Sequence, residues 1–101
     1  MNYKLVLGSE AIRDLKQAVY WYEDQRSGLG DRFAGTVRGT MRRITERPHR
    51  YTAIQGDVRR VKVGRWPYLV FYRIRGDLVV VLAILHGRRN PTIWRERAGL
   101  D

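Results

Sequence analysis

The sequence predicts an α+β domain of the order β-α-α-β-β-β(-β), in which an antiparallel helical hairpin packs on one face of a small, mostly antiparallel sheet. Three observations predict this class. Apolar residues recur at helical spacing twice in the first half of the chain. The second half contains short runs that alternate or are continuously apolar, as strands are. The length of 101 residues favours one domain, 1–101, and a hydrophobic content of 44% supplies its core.

The chain opens with a short strand predicted at 2–7, because polar and apolar residues alternate from Asn2 to Leu5. We expect this strand at or near an edge of the sheet, beside one of the later strands. The first helix follows and runs to about Gln25. Its apolar stripe consists of Ile12, Leu15, Val19 and Tyr22. Of the two aromatic residues just before Tyr22, Tyr20 and Trp21, at least one must point away from the core.

Two glycines, Gly28 and Gly30, break the first helix and start a tight connection. The second helix carries an apolar stripe of Phe33, Val37, Met41 and Ile44. It ends before Pro48, since the residue that precedes a proline resists the helical conformation. Two helices joined by so short a link form an antiparallel hairpin.

Four strands are predicted after the hairpin. The first, 49–54, is weak, whereas 58–65 shows period two, with Val61 and Val63 on one face and Arg60 and Lys62 on the other. The third is 68–75, and the fourth, 78–85, is apolar throughout and therefore central, with both faces covered. Residues 92–100 form a short helix or a frayed tail. Because the hairpin covers only one face of the sheet, we expect the opposite face to meet solvent, a ligand or a partner.

The charge of the chain is strongly basic and unevenly placed. The formal net charge is +10, from 20 Lys and Arg against 10 Asp and Glu. Residues 48–101, which include the predicted sheet, carry eleven basic and four acidic residues, a net of +7. Such an excess favours a polyanion or an acidic protein as partner.

Other classes of protein are disfavoured by composition. The chain has no cysteine, and its acidic residues are scattered, so we expect neither a metal site nor a cofactor. No apolar run is long enough to cross a bilayer, and the first residues lack the regions of a signal peptide. We therefore expect a cytoplasmic protein that does not engage the membrane.

Three groups of residues are candidates for contact or chemistry. The first group lies on and after the strand at 58–65, and the second is His86, the histidine best placed for acid–base work. The third group follows that histidine, where arginines surround a tryptophan, as in many binding hot spots. The candidate binding residues are Arg59, Arg60, Lys62, Arg65, Arg88, Arg89, Trp94 and Arg97.

The order and spacing of several short motifs resemble those of a known family. They are Trp21-Tyr22-Glu23, then Gly28-Leu29-Gly30 with Phe33, and finally His86-Gly87-Arg88-Arg89-Asn90-Pro91 with Trp94. This pattern is similar to that of the RelE/ParE superfamily of toxins from type II toxin–antitoxin systems, and the ParE-like branch fits best. The resemblance covers nearly the whole chain. It implies a compact toxin that a cognate antitoxin neutralises.

The resemblance leaves two targets open. ParE-like members are associated with poisoning DNA gyrase, whereas RelE-like members cut messenger RNA at the ribosome without a metal. A ribonuclease would use Arg60, Lys62, His86 and Arg88. RelE-like enzymes often place a tyrosine near the C-terminus, where this chain has Trp94, which cannot transfer a proton. We therefore favour a gyrase inhibitor without chemistry of its own, with a messenger ribonuclease and a non-toxic nucleic-acid-binding module as alternatives.

An antitoxin contact can also be predicted from the charge and the uncovered sheet. We expect an amphipathic, acid-bearing antitoxin segment to bind the open sheet face beside the cations.

Overall fold

Five strands and three helices make up the structure, a computed structural model that describes residues 2–100. The elements are β1 (Lys4–Leu7), α1 (Ser9–Gln25), α2 (Leu29–Glu46), β2 (Ala53–Gln55), β3 (Val58–Lys62), β4 (Tyr68–Arg75), β5 (Leu78–His86) and α3 (Thr92–Arg97). The strands form one sheet in the order β1-β5-β4-β3-β2, in which only β1 and β5 are parallel. The predicted α+β class is confirmed, and β1 lies at an edge as expected.

The helical hairpin covers one face of the sheet and builds the larger of two cores. From α2, Phe33, Val37 and Ile44 are fully buried, because their spacing places them on one side of the helix. They pack against side chains of β4 and β5 that alternate toward the same face, including Val70 and Val81.

The link between α1 and α2 is tight because one carboxylate caps the second helix. Glu23 of α1 accepts hydrogen bonds from the backbone N–H groups of Gly28 and Gly30 at 2.8 and 3.0 Å. These N–H groups would otherwise be unpaired at the start of α2. A Cβ at Gly30 would come within 2.7 Å of the Val19 carbonyl oxygen, so the two helices meet at the closest approach that glycine permits.

The opposite face is not open, which corrects the expectation drawn from the sequence. The C-terminal segment forms α3 and returns across β4 and β5, where Trp94 stacks on Phe71 with the ring centroids 5.3 Å apart. Val58, Ala83 and other apolar side chains of this face complete a second core under α3. The prediction missed it because a segment of six helical residues shows too little periodicity to identify its buried side. Only the part of this face that lies beyond α3 remains exposed.

The second half of β5 has an open edge. β1 pairs with Leu78 to Val81 only, and the chain then turns into α1 at Gly8, whose N–H donates to the Val81 carbonyl oxygen at 2.9 Å. The register between β4 and β5 shifts between Phe71 and Tyr72, which gives β5 an extra residue at Leu82. Beyond this bulge β5 has β4 on one side and no strand on the other.

Within residues 2–100, none of the helices combines the length and apolar character that crossing a membrane requires.

Candidate functional site

The cations of β3 divide between the two faces of the sheet. Arg60 and Lys62 lie two and four positions after Val58, so all three side chains are on the same face of the sheet. Val58 is buried under α3, whereas Arg60 and Lys62 are exposed on that face. Arg59 lies on the hairpin face, where its guanidinium donates to the carbonyl oxygens of Tyr51 and His49. Arg59 therefore anchors the loop after α2, and Arg60 and Lys62 remain free to meet a ligand.

Arg65 lies in the turn between β3 and β4 and is exposed. It makes no ion pair with any carboxylate among residues 2–100. The structure is therefore consistent with either of its expected roles, a contact residue or a solvated charge.

His86 is held in a turn at the end of β5. Its ring packs edge-on against Tyr68 at a centroid distance of 5.5 Å, on the hairpin face of the sheet. Its Nδ1 accepts a hydrogen bond from the backbone N–H of Arg88 at 3.1 Å. Because Nδ1 supplies a lone pair to that bond, the neutral imidazole carries its proton on Nε2. In this arrangement the accepting nitrogen is occupied and the free nitrogen is a donor.

The four residues that a ribonuclease would need do not share one site. Arg60 pairs with Phe71 of β4, whose ring lies under α3, whereas His86 pairs with Tyr68, whose ring packs against Phe33 of the hairpin. The β3 cations and the imidazole therefore lie on opposite faces and two strands apart. Arg88 follows His86 in the turn and is exposed.

The C-terminal group is mostly structural. Trp94 is 7% exposed, so it is a core residue, whereas the sequence analysis placed it among the candidate binding residues. The side chain of Arg97 is 15% exposed and pairs with Asp14 of α1, which is 9% exposed, at 2.5 Å. Hydrogen bonding to Asp14 raises the pKa of Arg97 above its usual value. Arg97 also donates to the Leu82 carbonyl oxygen at the bulge of β5, at 3.2 Å.

Arg89 belongs to a groove that the sequence did not reveal. The groove lies between α1 and the open end of β5, and Gln17, Trp21, Tyr68, His86 and Arg89 are among the side chains that line it. Trp21 is 57% exposed there, and its neighbour Tyr20 is 71% exposed, so both turn away from the core. Helical spacing could have placed Trp21 outside the stripe that ends at Tyr22. The period of β4 could have placed Tyr68 on the hairpin face.

The tyrosines near this groove do not supply a base at neutral pH. Burial raises the pKa of Tyr68 above its usual value, although the nearby charge of Arg89 opposes the shift. Burial also raises the pKa of Tyr22. Both hydroxyl groups therefore stay protonated. No group of three His, Asp or Glu side chains within residues 2–100 is arranged to hold a metal ion.

This hairpin of two helices on a β1-β5-β4-β3-β2 sheet is shared with a solved ParDE structure, and comparison with known proteins confirms the resemblance of the sequence to the RelE/ParE toxins. The sequence model described as "ParE toxin of type II toxin-antitoxin system, parDE" matches residues 5–91, so this chain belongs to the ParE toxin family.

Two known proteins show how far the similarity extends. Toxin RelE1 of Caulobacter vibrioides is 24% identical over 89 residues, which cover 86% of this chain and 96% of that protein. A chain of the chromosomal ParDE toxin–antitoxin system from P. aeruginosa has a TM-score of 0.75 and 16% identity, and the match covers 83% of this chain and 95% of the other. Membership of the family implies a cognate antitoxin as partner.

Proposed function

We propose that this chain is a ParE-like toxin that arrests growth in the cytoplasm by binding DNA gyrase, without catalysing a reaction itself. The observation that carries the proposal is the separation of the candidate catalytic groups. Arg60 and Lys62 face the α3 side of the sheet, whereas His86 lies on the hairpin side.

Metal-free cleavage of RNA needs a base, an acid and cations around one phosphate, each within hydrogen-bonding reach of it. The candidate base, His86, already accepts a backbone hydrogen bond at Nδ1. The groove tyrosines are kept protonated by burial. This supports a toxin that acts by occupying a protein surface, for which exposed arginines and lysines suffice.

A supercoiling assay tests the proposal. Purified toxin is added to DNA gyrase, relaxed plasmid and ATP, and the expected result is loss of supercoiling or a trapped cleavage complex. His86→Ala should inhibit as well as the parent chain, because the imidazole has no role in proton transfer. Unchanged supercoiling at excess toxin would overturn the proposal.

Paired charge reversals identify the surface that contacts gyrase. The double variant Arg60→Glu, Lys62→Glu should weaken inhibition by at least about tenfold, since two attractive contacts between opposite charges become repulsive. The matched control is Arg38→Glu, Arg42→Glu on the exposed side of α2, which changes the net charge equally. Equal loss in both variants would show that net charge, and not the β3 surface, determines inhibition.

A RelE-like messenger ribonuclease is the second candidate, because Arg60 and Lys62 are exposed two residues apart on one strand face, where they could bind successive phosphates. Translating ribosomes with toxin should then yield cleaved messages, and His86→Ala should slow the cleavage. Intact messages would exclude this candidate. If expression in a bacterial host leaves growth unaffected, the chain is instead a nucleic-acid-binding module without toxicity.

A further inference from the structure

The open edge of β5 is already partly closed by side chains. Past Val81, where β1 stops, the backbone N–H of Ile84 donates to the carboxylate of Asp14 at 3.0 Å. The carbonyl oxygen of Leu82 accepts from Arg97 at 3.2 Å. Two charged side chains therefore occupy the positions that hydrogen bonds from a neighbouring strand would take.

The next two backbone groups on this edge have no such partner. The Gly87 N–H donates to the Pro67 carbonyl oxygen at 2.8 Å. In an antiparallel pair, successive residues turn their backbone groups alternately toward the partner strand and away from it. Leu85 therefore faces β4 as Gly87 does, and its neighbours Ile84 and His86 turn their backbone groups away from β4. The His86 carbonyl oxygen accepts from Arg89 N–H at 2.9 Å. The β4–β5 register turns the Ile84 carbonyl oxygen and the His86 N–H away from β4, and no loop or side-chain hydrogen bond among residues 2–100 reaches them. Ile84 is 1% exposed, so its carbonyl oxygen lies at the floor of the groove.

This pair of groups fits one orientation of an added strand. In a parallel pair, one residue donates to a carbonyl oxygen of its neighbour and accepts from the N–H two residues later. Ile84 and His86 present these two groups at that spacing. In an antiparallel pair the incoming residue would instead bond to both the N–H and the carbonyl oxygen of Ile84. The N–H of Ile84 is already bonded to the Asp14 carboxylate. An added segment would therefore run parallel to β5, as β1 does.

The side chains beside this edge indicate what such a segment carries. The groove between α1 and the edge has a volume of about 190 Å³. Trp21 forms one wall with an exposed apolar ring, and Arg89 lies at the end of the groove without an ion pair to any carboxylate among residues 2–100. An apolar residue followed by an acidic residue would complement both. The net charge of +10 favours an acidic segment as a whole.

We propose that the edge of β5 from Ile84 to His86 binds an extended, acid-bearing segment of the antitoxin as a parallel strand, with an apolar side chain against Trp21 and a carboxylate on Arg89. The inference rests on the antitoxin partner that the family implies. It moves the contact from the sheet face, which α3 largely covers, to the sheet edge.

Amide exchange of the labelled toxin, free and bound to the antitoxin encoded beside it, tests the backbone contact. Complex formation should slow the exchange of the His86 amide by at least about a hundredfold. The Ile84 amide is bonded to Asp14 in the free chain and should change little. A complex in which the His86 amide exchanges as fast as before overturns the edge contact alone. Absence of any complex in moderate salt overturns the antitoxin assignment together with this inference.

Affinity measurements on matched variants test the side-chain contacts. Trp21→Ala should weaken antitoxin binding at least about tenfold, whereas Tyr20→Ala, which removes a more exposed ring outside the groove, should stay within about twofold. Arg89→Ala should weaken binding in the same way and Arg13→Ala, on the exposed side of α1, should not. Equal effects within either pair would overturn the assignment of the groove.

Discussion

Tyr72 lies at the centre of the larger core and is fully buried, yet it carries a hydroxyl group. That hydroxyl donates to the carbonyl oxygen of Pro48 at 2.5 Å, which ties β4 to the start of the loop that follows α2. Burial raises the pKa of Tyr72 from 10.0 to about 12. The folded protein therefore holds this proton more tightly than the unfolded chain does.

Tyr72→Phe should lower the free energy of unfolding by about 1–3 kcal/mol at neutral pH, since a buried carbonyl oxygen loses its donor. In the parent chain the contribution of Tyr72 is fully present below about pH 10 and is lost as the pH rises through about 12. The variant should accordingly lose less stability between these two pH values. Urea unfolding at neutral and alkaline pH measures both effects, and an equal alkaline loss in the two proteins would contradict the assignment.

Asp14 joins three elements through one carboxylate. It accepts from Ile84 N–H of β5 and from Arg97 of α3, while its own backbone belongs to α1. Removing one partner of a largely buried ion pair leaves the other charge without compensation.

Asp14→Asn should therefore cost about 3 kcal/mol of stability, and α3 should loosen from the sheet. Glu10 also pairs with Arg97 at 3.3 Å, but its side chain is 55% exposed, so Glu10→Gln should cost no more than about 1 kcal/mol. Thermal unfolding, together with amide exchange of the α3 residues, compares the two variants. Similar losses would show that burial of the pair is not what matters.

At the scale of elements, the helical hairpin depends on one glycine contact. Gly30→Ala would bring a Cβ within 2.7 Å of the Val19 carbonyl oxygen and 2.9 Å of the Glu23 carboxylate that caps α2. We expect a loss of about 1–3 kcal/mol, because α1 and α2 must move apart.

Gly35→Ala is the matched control within the same helix. Its Cβ would meet only the flexible Arg38 side chain, at 3.7 Å. It should stabilise the protein by about 0.5–1 kcal/mol, as alanine does in place of glycine within a helix. Chemical denaturation measures the change in the free energy of unfolding, which should be a loss for Gly30→Ala and a gain for Gly35→Ala. A loss of stability in Gly35→Ala would indicate crowding on the outer side of α2.

Elements with a strong local pattern could be predicted from the sequence, and elements set by distant contacts could not. The apolar stripes of α1 and α2 identified both segments as helices, and the apolar run of β5 identified it as a strand. Pro48 predicted the end of α2 to within two residues. The cover of the second face by α3 depends on Trp94 meeting Phe71, 23 positions earlier in the chain, and no local period encodes that contact. The open edge of β5 likewise follows from where β1 stops, which depends on pairing.

The candidate site shows the same division at the scale of the whole molecule. Period two placed Arg60 and Lys62 on one exposed face, and the structure agrees. The relation of these cations to His86 depends on the registers of β3, β4 and β5 and on the bulge at Leu82, so the sequence could group the residues by type only. The groove beside Trp21 was missed for the same reason, because its two walls come from α1 and β5.

The charge of the whole molecule predicts how it meets its partner. With a net charge of +10, and with Arg60, Lys62, Arg88 and Arg89 exposed, the chain should attract an acidic antitoxin over distances longer than any single contact. Salt screens such attraction within about 10 Å at 0.1 M ionic strength. The association rate should therefore fall at least about tenfold between low salt and about 0.5 M salt, while the dissociation rate changes less.

Stopped-flow mixing of toxin and antitoxin over a salt series measures the two rates separately. The reversal of Arg38 and Arg42 on α2 should reduce the salt dependence of association because it lowers the net charge by four, yet leave dissociation nearly unchanged, since these side chains lie outside the proposed contact. Arg89→Ala removes one charge within that contact and should raise the dissociation rate. If salt and both variants act on dissociation alone, steering by the net charge does not operate, and short-range contacts account for the whole affinity.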